Sequence, residues 1–220
     1  TAADLGRLRP FDPAQTPLGT QLRTVELVAR ALRDRALFVD TVFNAWNTLK
    51  RNLVREAMPT LMAEQPKAVE EALAVVNDNL IRYAQASLSR GAAGIFLSVP
   101  ATTESLTPEQ YERFMRPFDL AFLEAIHGRG ECHVLHAHGE RLYLDRLLDY
   151  PVHALSWADL NGGPTVAEAR RRTSLTLMTG LDHVKFAESS AELVRDRVRP
   201  ALPGGGGTRL ILAAGCSGPG

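Results

Sequence analysis

The chain has 220 residues, 45% of them hydrophobic, and its 25 basic side chains balance 25 acidic ones. A chain of this length can bury one sizeable core, so we expect a single domain over residues 1–220. The zero net charge argues against nucleic acid or an anionic membrane as a partner. No apolar run is long enough to span a bilayer and the first residues do not resemble a signal peptide. The expected location is therefore the cytoplasm.

Helix-like and strand-like segments alternate along the chain, and each strand is predicted after a helix. The helices are predicted over 18–35, 66–91, 107–130, 139–151, 165–173 and 190–202, and the PGGGG sequence that starts at residue 203 is predicted to be a turn before the last strand. The strands are predicted over 36–43, 93–100, 132–138, 152–159, 175–182 and 208–216. The third helix has clear start signals, because Thr107 is a good N-cap residue and Pro108 suits the first helical position.

Alternation of helices with apolar strands is typical of a parallel sheet covered by helices, either doubly wound or closed into a barrel. Polar or reactive residues at the carboxyl ends of the strands favour the α/β (β/α)8 TIM barrel, where these ends converge on one face. They are Asn44, Ser98, His136, His138, Trp157, Asp159, Asp182 and Cys216. Six strands are two fewer than a barrel needs. We therefore expect a barrel that lacks its first strands and its last helix in this chain.

The third predicted strand ends in the sequence VLHAHG, which places His136 and His138 two residues apart before Gly139. Alternate residues of a strand point to the same face, so both imidazoles are expected on one side, as in a ligand-binding arrangement. A purely structural hydrogen-bonding pair is an equally good interpretation of these two residues alone. Cys216 follows the last strand on the same predicted face. We expect both Cys132 and Cys216 to be free thiols or ligands.

Several short motifs, in this order, resemble the uroporphyrinogen decarboxylase superfamily. They are GAAGIFLSVP, SLTPEQYERFMRPF, LHAHG, LSWAD, TGLD and ILAAGC, and they span nearly the whole chain. The resemblance implies a (β/α)8 barrel and one of two activities. One is cofactor-free decarboxylation of a porphyrinogen, and the other is zinc-dependent methyl transfer between a corrinoid and a thiol. It also implies a small-molecule substrate, a corrinoid protein as an expected partner and a homodimer.

The resemblance to the methyltransferase branch rests on the expected metal ligands. In that branch, the strand that corresponds to VLHAH ends in a His-x-Cys pair, and a second cysteine follows a glycine after the last strand. In this chain the corresponding positions are His136, His138 and Cys216, so histidine replaces the middle cysteine. Two imidazoles and a thiolate still suit zinc and leave a fourth position open, as catalysis requires. A thiol bound there would become a thiolate, which accepts a methyl group.

The decarboxylase branch matches less well. Its glycine-flanked histidine after the last strand corresponds to Cys216, and its tyrosine near FNAWNTLKR has no equivalent. Ser98 does match a substrate-contacting serine of that branch. A third alternative is a non-catalytic barrel that binds a tetrapyrrole or another small molecule, with the same residues as hydrogen-bond donors.

The remaining candidate residues are assigned roles from their positions at strand ends. Ser98 and Asp182 are the candidate catalytic groups, and Asp182 is also a candidate to orient a ligating imidazole. The candidate substrate contacts are Asn44, Trp46, Ser98, Trp157 and Asp159. A tryptophan near a barrel mouth is often a packing residue, and aspartates in loops often stabilise turns. If the barrel interpretation is right, Ser98, His136, His138, Asp182 and Cys216 should surround one cavity.

Overall fold

The computed structural model describes residues 1–33, 35–199 and 208–217. These residues form ten α-helices and six β-strands, which belong to two compact units. The first unit comprises Thr1–Ser98 and Pro108–His133, and the second comprises Val99–Thr107 and Val134–Gly220. None of the helices within the described ranges combines the length and apolar character that a membrane crossing requires.

The first unit is built around two parallel strands. Its elements are α1 (Ala2–Leu5), α2 (Leu18–Leu32), β1 (Val39–Phe43), α3 (Ala45–Leu49), α4 (Met58–Glu64), α5 (Pro66–Ser89), β2 (Gly94–Val99), α6 (Pro108–Phe114) and α7 (Arg116–Ala125). β1 pairs with β2 from Val39 opposite Gly94 to Phe43 opposite Ser98. This register aligns the carboxyl ends of the two strands, as the sequence predicts for a parallel sheet.

The 24-residue helix α5 supplies much of the core of the first unit. It begins at Pro66, whose fixed φ suits a first helical turn, and ends before Gly91, whose φ of +104° is costly for other residues. The helix also satisfies a buried carboxylate on β1, because the hydroxyls of Tyr83 and Ser87 each donate to Asp40 at 2.8 Å. Burial, together with this bond, raises the pKa of Tyr83. A buried acceptor on the strand is thereby paired with the helix that covers it.

The second unit contains four parallel strands that are adjacent in chain order. Its elements are β3 (Val134–Ala137), α8 (Leu144–Leu147), β4 (Ala154–Ser156), α9 (Val166–Arg170), β5 (Thr176–Leu181), α10 (Ala191–Val198) and β6 (Leu210–Ala214). Two helices start at side-chain caps: Thr165 forms a capping box with Glu168, and the Ser190 hydroxyl accepts from the Leu193 amide. The alternation of helix and strand follows the predicted order.

The structure differs from the sequence prediction mainly in the helices. The helix predicted over 107–130 is two helices with a break at Met115, because Pro117 lacks an N–H and its ring disfavours a continuous helix through the preceding turn. The segment 139–151 contains only the short helix α8. Three helices in the first unit (α1, α3 and α4) and the π-helix Lys50–Val54 were not predicted. Residues 200–202 of the last predicted helix and the predicted PGGGG turn lie outside the described residues.

Candidate metal centre and its cavity

The VLHAHG segment forms the end of β3 and the turn that follows. His136 is on the strand and 5% exposed, whereas His138 is the first residue after the strand and is exposed. Their ring centroids are 6.1 Å apart. Gly139 then turns the chain with a φ of +115°, and a Cβ at this position would lie 2.4 Å from the Thr102 methyl group. Glycine is therefore required there for both conformation and space.

Cys216 follows β6, and the structure brings it to the two histidines. Its Sγ lies 3.4 Å from Nδ1 of His138. One donor atom from each of His136, His138 and Cys216 can be chosen so that all three lie within 4.8 Å of one another. Ligand atoms that share one zinc ion are about 3 to 4 Å apart, given bonds of about 2.0 to 2.3 Å. The donor types and spacing therefore fit a zinc ion after a small closure, although 78 residues separate His138 from Cys216.

His136 is held by a neighbour on the adjacent strand. The β3–β4 register places His136 opposite Ser156, and Nδ1 of the imidazole lies 3.2 Å from the serine Oγ. Burial, with smaller contributions from the charges of His138 and His183, lowers the pKa of His136 to about 4. The imidazole is therefore neutral near pH 7, which is the form that binds a metal.

The three candidate ligands line a cavity of about 330 Å³ in the second unit. Other polar residues that line it are Glu140, Asn161 and His183. A volume of this size accommodates a small molecule. The cavity therefore offers both a set of metal donors and room for a substrate beside them.

Asp182, a predicted catalytic residue, has a structural position. Its carboxylate accepts hydrogen bonds from the backbone N–H groups of Val184 and Lys185, both at 3.1 Å, and from Nδ2 of Asn161 at 3.4 Å. It also forms a salt bridge of 2.9 Å with Arg197. Asp182 does not line the cavity of the three candidate ligands, because these four contacts direct it into the turn after β5. The expected convergence of its side chain on that cavity is not found.

The two candidates after β4 also take part in packing and loop structure. Trp157 is fully buried, and its indole N–H donates to the Pro164 carbonyl at 2.7 Å. Asp159 accepts from the hydroxyl of Thr179 at 2.7 Å and from the Gly180 amide at 3.1 Å. These contacts tie the loop after β4 to β5. A ligand in the cavity has no access to the Trp157 ring, so the structure favours the packing interpretation of this residue.

The remaining candidates belong to the first unit, at the ends of β1 and β2. Asn44 is 2% exposed and caps α3, accepting from the Asn47 amide at 3.0 Å and donating to Asp119 at 2.9 Å. Trp46 and Ser98 are also buried. Asn44 and Ser98 lie at strand ends, as expected for parallel strands, whereas Trp46 lies in the first turn of α3, and the burial of all three gives them packing and capping roles in this structure. Their contact with a substrate stays a prediction.

The sequence interpretation missed three cavity residues. His183 directly follows Asp182 at the end of β5, so the strand-end pattern that selected Asp182 applied to it as well. Glu140 lies two residues after His138, and an acidic residue in a turn carries no pattern that marks it as part of a site. Asn161 lies in the loop after β4, and no local pattern distinguishes it.

Comparisons with known proteins agree with this architecture. Residues 1–219 match the family model of uroporphyrinogen decarboxylase (URO-D). Among solved structures, the chain is similar to a methyltransferase from Methanosarcina mazei, with a TM-score of 0.78, 16% identity, and coverage of 96% of this chain and 65% of that one. It is also similar to a B12-independent methionine synthase from Shewanella sp. W3-18-1, with a TM-score of 0.63, 13% identity, and coverage of 89% and 59%. A search of the curated proteins found no match.

The family match and the structural likeness confirm the predicted fold class, a partial (β/α)8 barrel of the α/β type. At these low identities the likeness to the solved structures shows the fold alone. The chain spans less than two thirds of the length of either structure. Because the family model covers all but the last residue, the chain belongs to the uroporphyrinogen decarboxylase (URO-D) family.

Proposed function

We propose that this protein is a zinc-dependent methyltransferase that transfers a methyl group from a corrinoid, or another methyl donor, to a small thiol. The observation that carries the proposal is the set of donor atoms of His136, His138 and Cys216, which lie within 4.8 Å of one another. Two nitrogens and one sulfur are a suitable donor set for zinc and leave room for one more ligand. The names of two structurally similar proteins, a methyltransferase and a methionine synthase, support the same class of reaction.

Zinc in such a site would lower the pKa of a thiol substrate, so that the thiolate is available near neutral pH. The protein's own residues prepare the site. Ser156 Oγ lies 3.2 Å from Nδ1 of His136, and burial keeps this imidazole neutral. His138 is held beside Cys216 by their 3.4 Å contact. The cavity beside these side chains would receive the thiol.

The proposed reaction is a simple transfer. The thiol loses its proton to solvent, and its sulfur forms a bond to the methyl carbon. The bond between that carbon and the donor breaks, and its electron pair stays with the donor. If the donor is a corrinoid carried by another protein, that protein is the expected partner.

Metal content tests the proposal, and the chain offers a matched control because it has two free cysteines. Wild type, Cys216→Ser and Cys132→Ser are purified without a histidine tag, dialysed against zinc and then buffer, and analysed by mass spectrometry of the metal. We expect about one zinc per chain in the wild type and in Cys132→Ser, and far less in Cys216→Ser, because a hydroxyl is a much weaker zinc ligand than a thiolate. Circular dichroism checks that all three are folded.

Full metal retention in Cys216→Ser, or a wild type with far less than one zinc per chain, would contradict the metal site. The reaction is tested separately by transfer of a methyl group from methylcobalamin to a small thiol. A wild type that holds far less than one zinc per chain and transfers no methyl group would favour the binding-barrel alternative. Release of carbon dioxide from a porphyrinogen would favour the decarboxylase alternative.

A further inference from the structure

The cavity contains a buried hydrogen-bond acceptor without a donor. Nδ2 of Asn161 lies 3.4 Å from the Asp182 carboxylate, which only accepts hydrogen bonds, so the orientation of the amide is determined and Oδ1 is its remaining acceptor. This Oδ1 is buried and has no hydrogen-bond partner among the described residues. A buried acceptor without a donor is unfavourable, and a ligand that supplies the donor removes that cost.

His183 adds a second unsatisfied atom. Its Nδ1 is also buried and has no hydrogen-bond partner within the described part of the chain. In the neutral tautomer with the proton on Nε2, this nitrogen is an acceptor. Both Asn161 and His183 line the cavity that contains the candidate metal ligands.

The charged residues of the cavity also favour a ligand that donates hydrogen bonds and carries a positive charge. Glu140 lines the cavity and its side chain is exposed, so it supplies a carboxylate. No lysine or arginine is among the described residues that line it. A ligand with a carboxylate, sulfonate or phosphate group would find no fixed cation in this cavity and would be repelled by Glu140.

We propose that the thiol accepted by this cavity carries an ammonium group, so that the substrate is an aminothiol. This inference rests on the proposed function, because it assigns the thiol end to the site of His136, His138 and Cys216. A primary ammonium has three N–H donors. The candidate acceptors for them among the cavity residues are Oδ1 of Asn161, Nδ1 of His183 and the carboxylate of Glu140. The cavity thus selects its thiol by charge and by hydrogen-bonding capacity.

Cobalt(II)-substituted protein gives a direct assay, because a thiolate bound to cobalt produces a charge-transfer absorption band that reports the dissociation constant. Cysteamine and 3-mercaptopropionate are compared as small thiols with a positive and a negative end. We expect cysteamine to bind at least about tenfold more tightly, the effect of gaining hydrogen bonds to a charged group. Equal affinity, or tighter binding of 3-mercaptopropionate, would overturn the inference.

Because the two thiols also differ in acidity, the decisive quantity is the change in their affinity ratio in variants. Asn161→Leu removes the acceptor and Glu140→Gln removes the charge, and each should lower the ratio about fivefold or more. Glu192→Gln makes the same chemical change as Glu140→Gln at an exposed position on α10 that does not line the cavity, and should leave the ratio unchanged. An unchanged ratio in both Asn161→Leu and Glu140→Gln would refute the inference, even if Asn161→Leu proves poorly folded.

A metal-free measurement separates this inference from the proposed function. The Cys216 thiolate attacks one sulfur of cystamine or of 3,3′-dithiodipropionate, forms a mixed disulfide and releases one small thiolate. Peptide mapping distinguishes Cys216 from Cys132. We expect faster modification of Cys216 by cystamine, and a smaller preference in Glu140→Gln. If the protein does not bind zinc but Cys216 still reacts faster with cystamine, only the proposed function is refuted. If the protein binds zinc but Cys216 does not react faster with cystamine, only the aminothiol assignment is refuted.

Discussion

Acidification should destabilise the metal-free protein through His136. The pKa of this imidazole falls from an ordinary value of 6.5 to about 4, chiefly because the ring is buried between β3 and its neighbours. Between these two values the unfolded chain binds a proton on His136 and the folded chain does not. The free energy of unfolding therefore decreases as the pH falls through this window. The difference corresponds to about 3 kcal/mol, fully present above pH 6.5 and lost near pH 4.

The effect is isolated by comparing wild type with His136→Gln, which keeps a polar side chain of similar reach but does not titrate. Both are stripped of metal with a chelator and unfolded with urea at several pH values between 7 and 4. Carboxylates protonate in both proteins, so their contribution cancels in the difference. We expect the wild type to lose about 3 kcal/mol more than the variant over this range.

Parallel loss of stability in the two proteins would show that His136 is not held neutral by burial, and the account of its environment would be wrong. Direct titration of the imidazole by NMR gives an independent check. A midpoint near 6.5 in the folded protein would contradict the argument in the same way.

Three substitutions test other contacts of the site. Ser156→Ala removes the hydroxyl beside Nδ1 of His136 and should weaken zinc binding roughly tenfold to a hundredfold, as measured by competition with a chelator. An unchanged zinc affinity would contradict an orienting role of Ser156. Gly139→Ala should destabilise the fold by at least about 1 to 2 kcal/mol in urea unfolding, because its φ is +115° and the new Cβ would meet Thr102 at 2.4 Å. Asp182→Ala should cost about 2 to 3 kcal/mol by the same measurement, since it leaves backbone N–H groups without their acceptor, and a neutral effect would show that the turn does not depend on it.

Local sequence patterns were sufficient for the order of the strands and for the three candidate ligands. Apolar runs and amphipathic periodicity depend on neighbouring residues, so the six strands and the long helices could be located from the sequence. The expectation that His136 and His138 lie on one side of the chain follows from the two-residue period of a strand. Cys216 was selected because parallel strands align their carboxyl ends. The break at Met115 has a local cause as well, since Pro117 is visible in the sequence.

Only the tertiary structure decided what surrounds these residues. The partner of His136 is Ser156 because of the β3–β4 register. Trp157 is a packing residue because its side chain is fully buried and its indole N–H donates to the Pro164 carbonyl. Asn161 belongs to the cavity because Asp182, 21 residues further along the chain, orients its amide. Such contacts depend on strand register and on the burial of particular atoms. Neither is determined by the residues adjacent in the chain, so the environment of the site, unlike its candidate ligands, could not be deduced from sequence pattern.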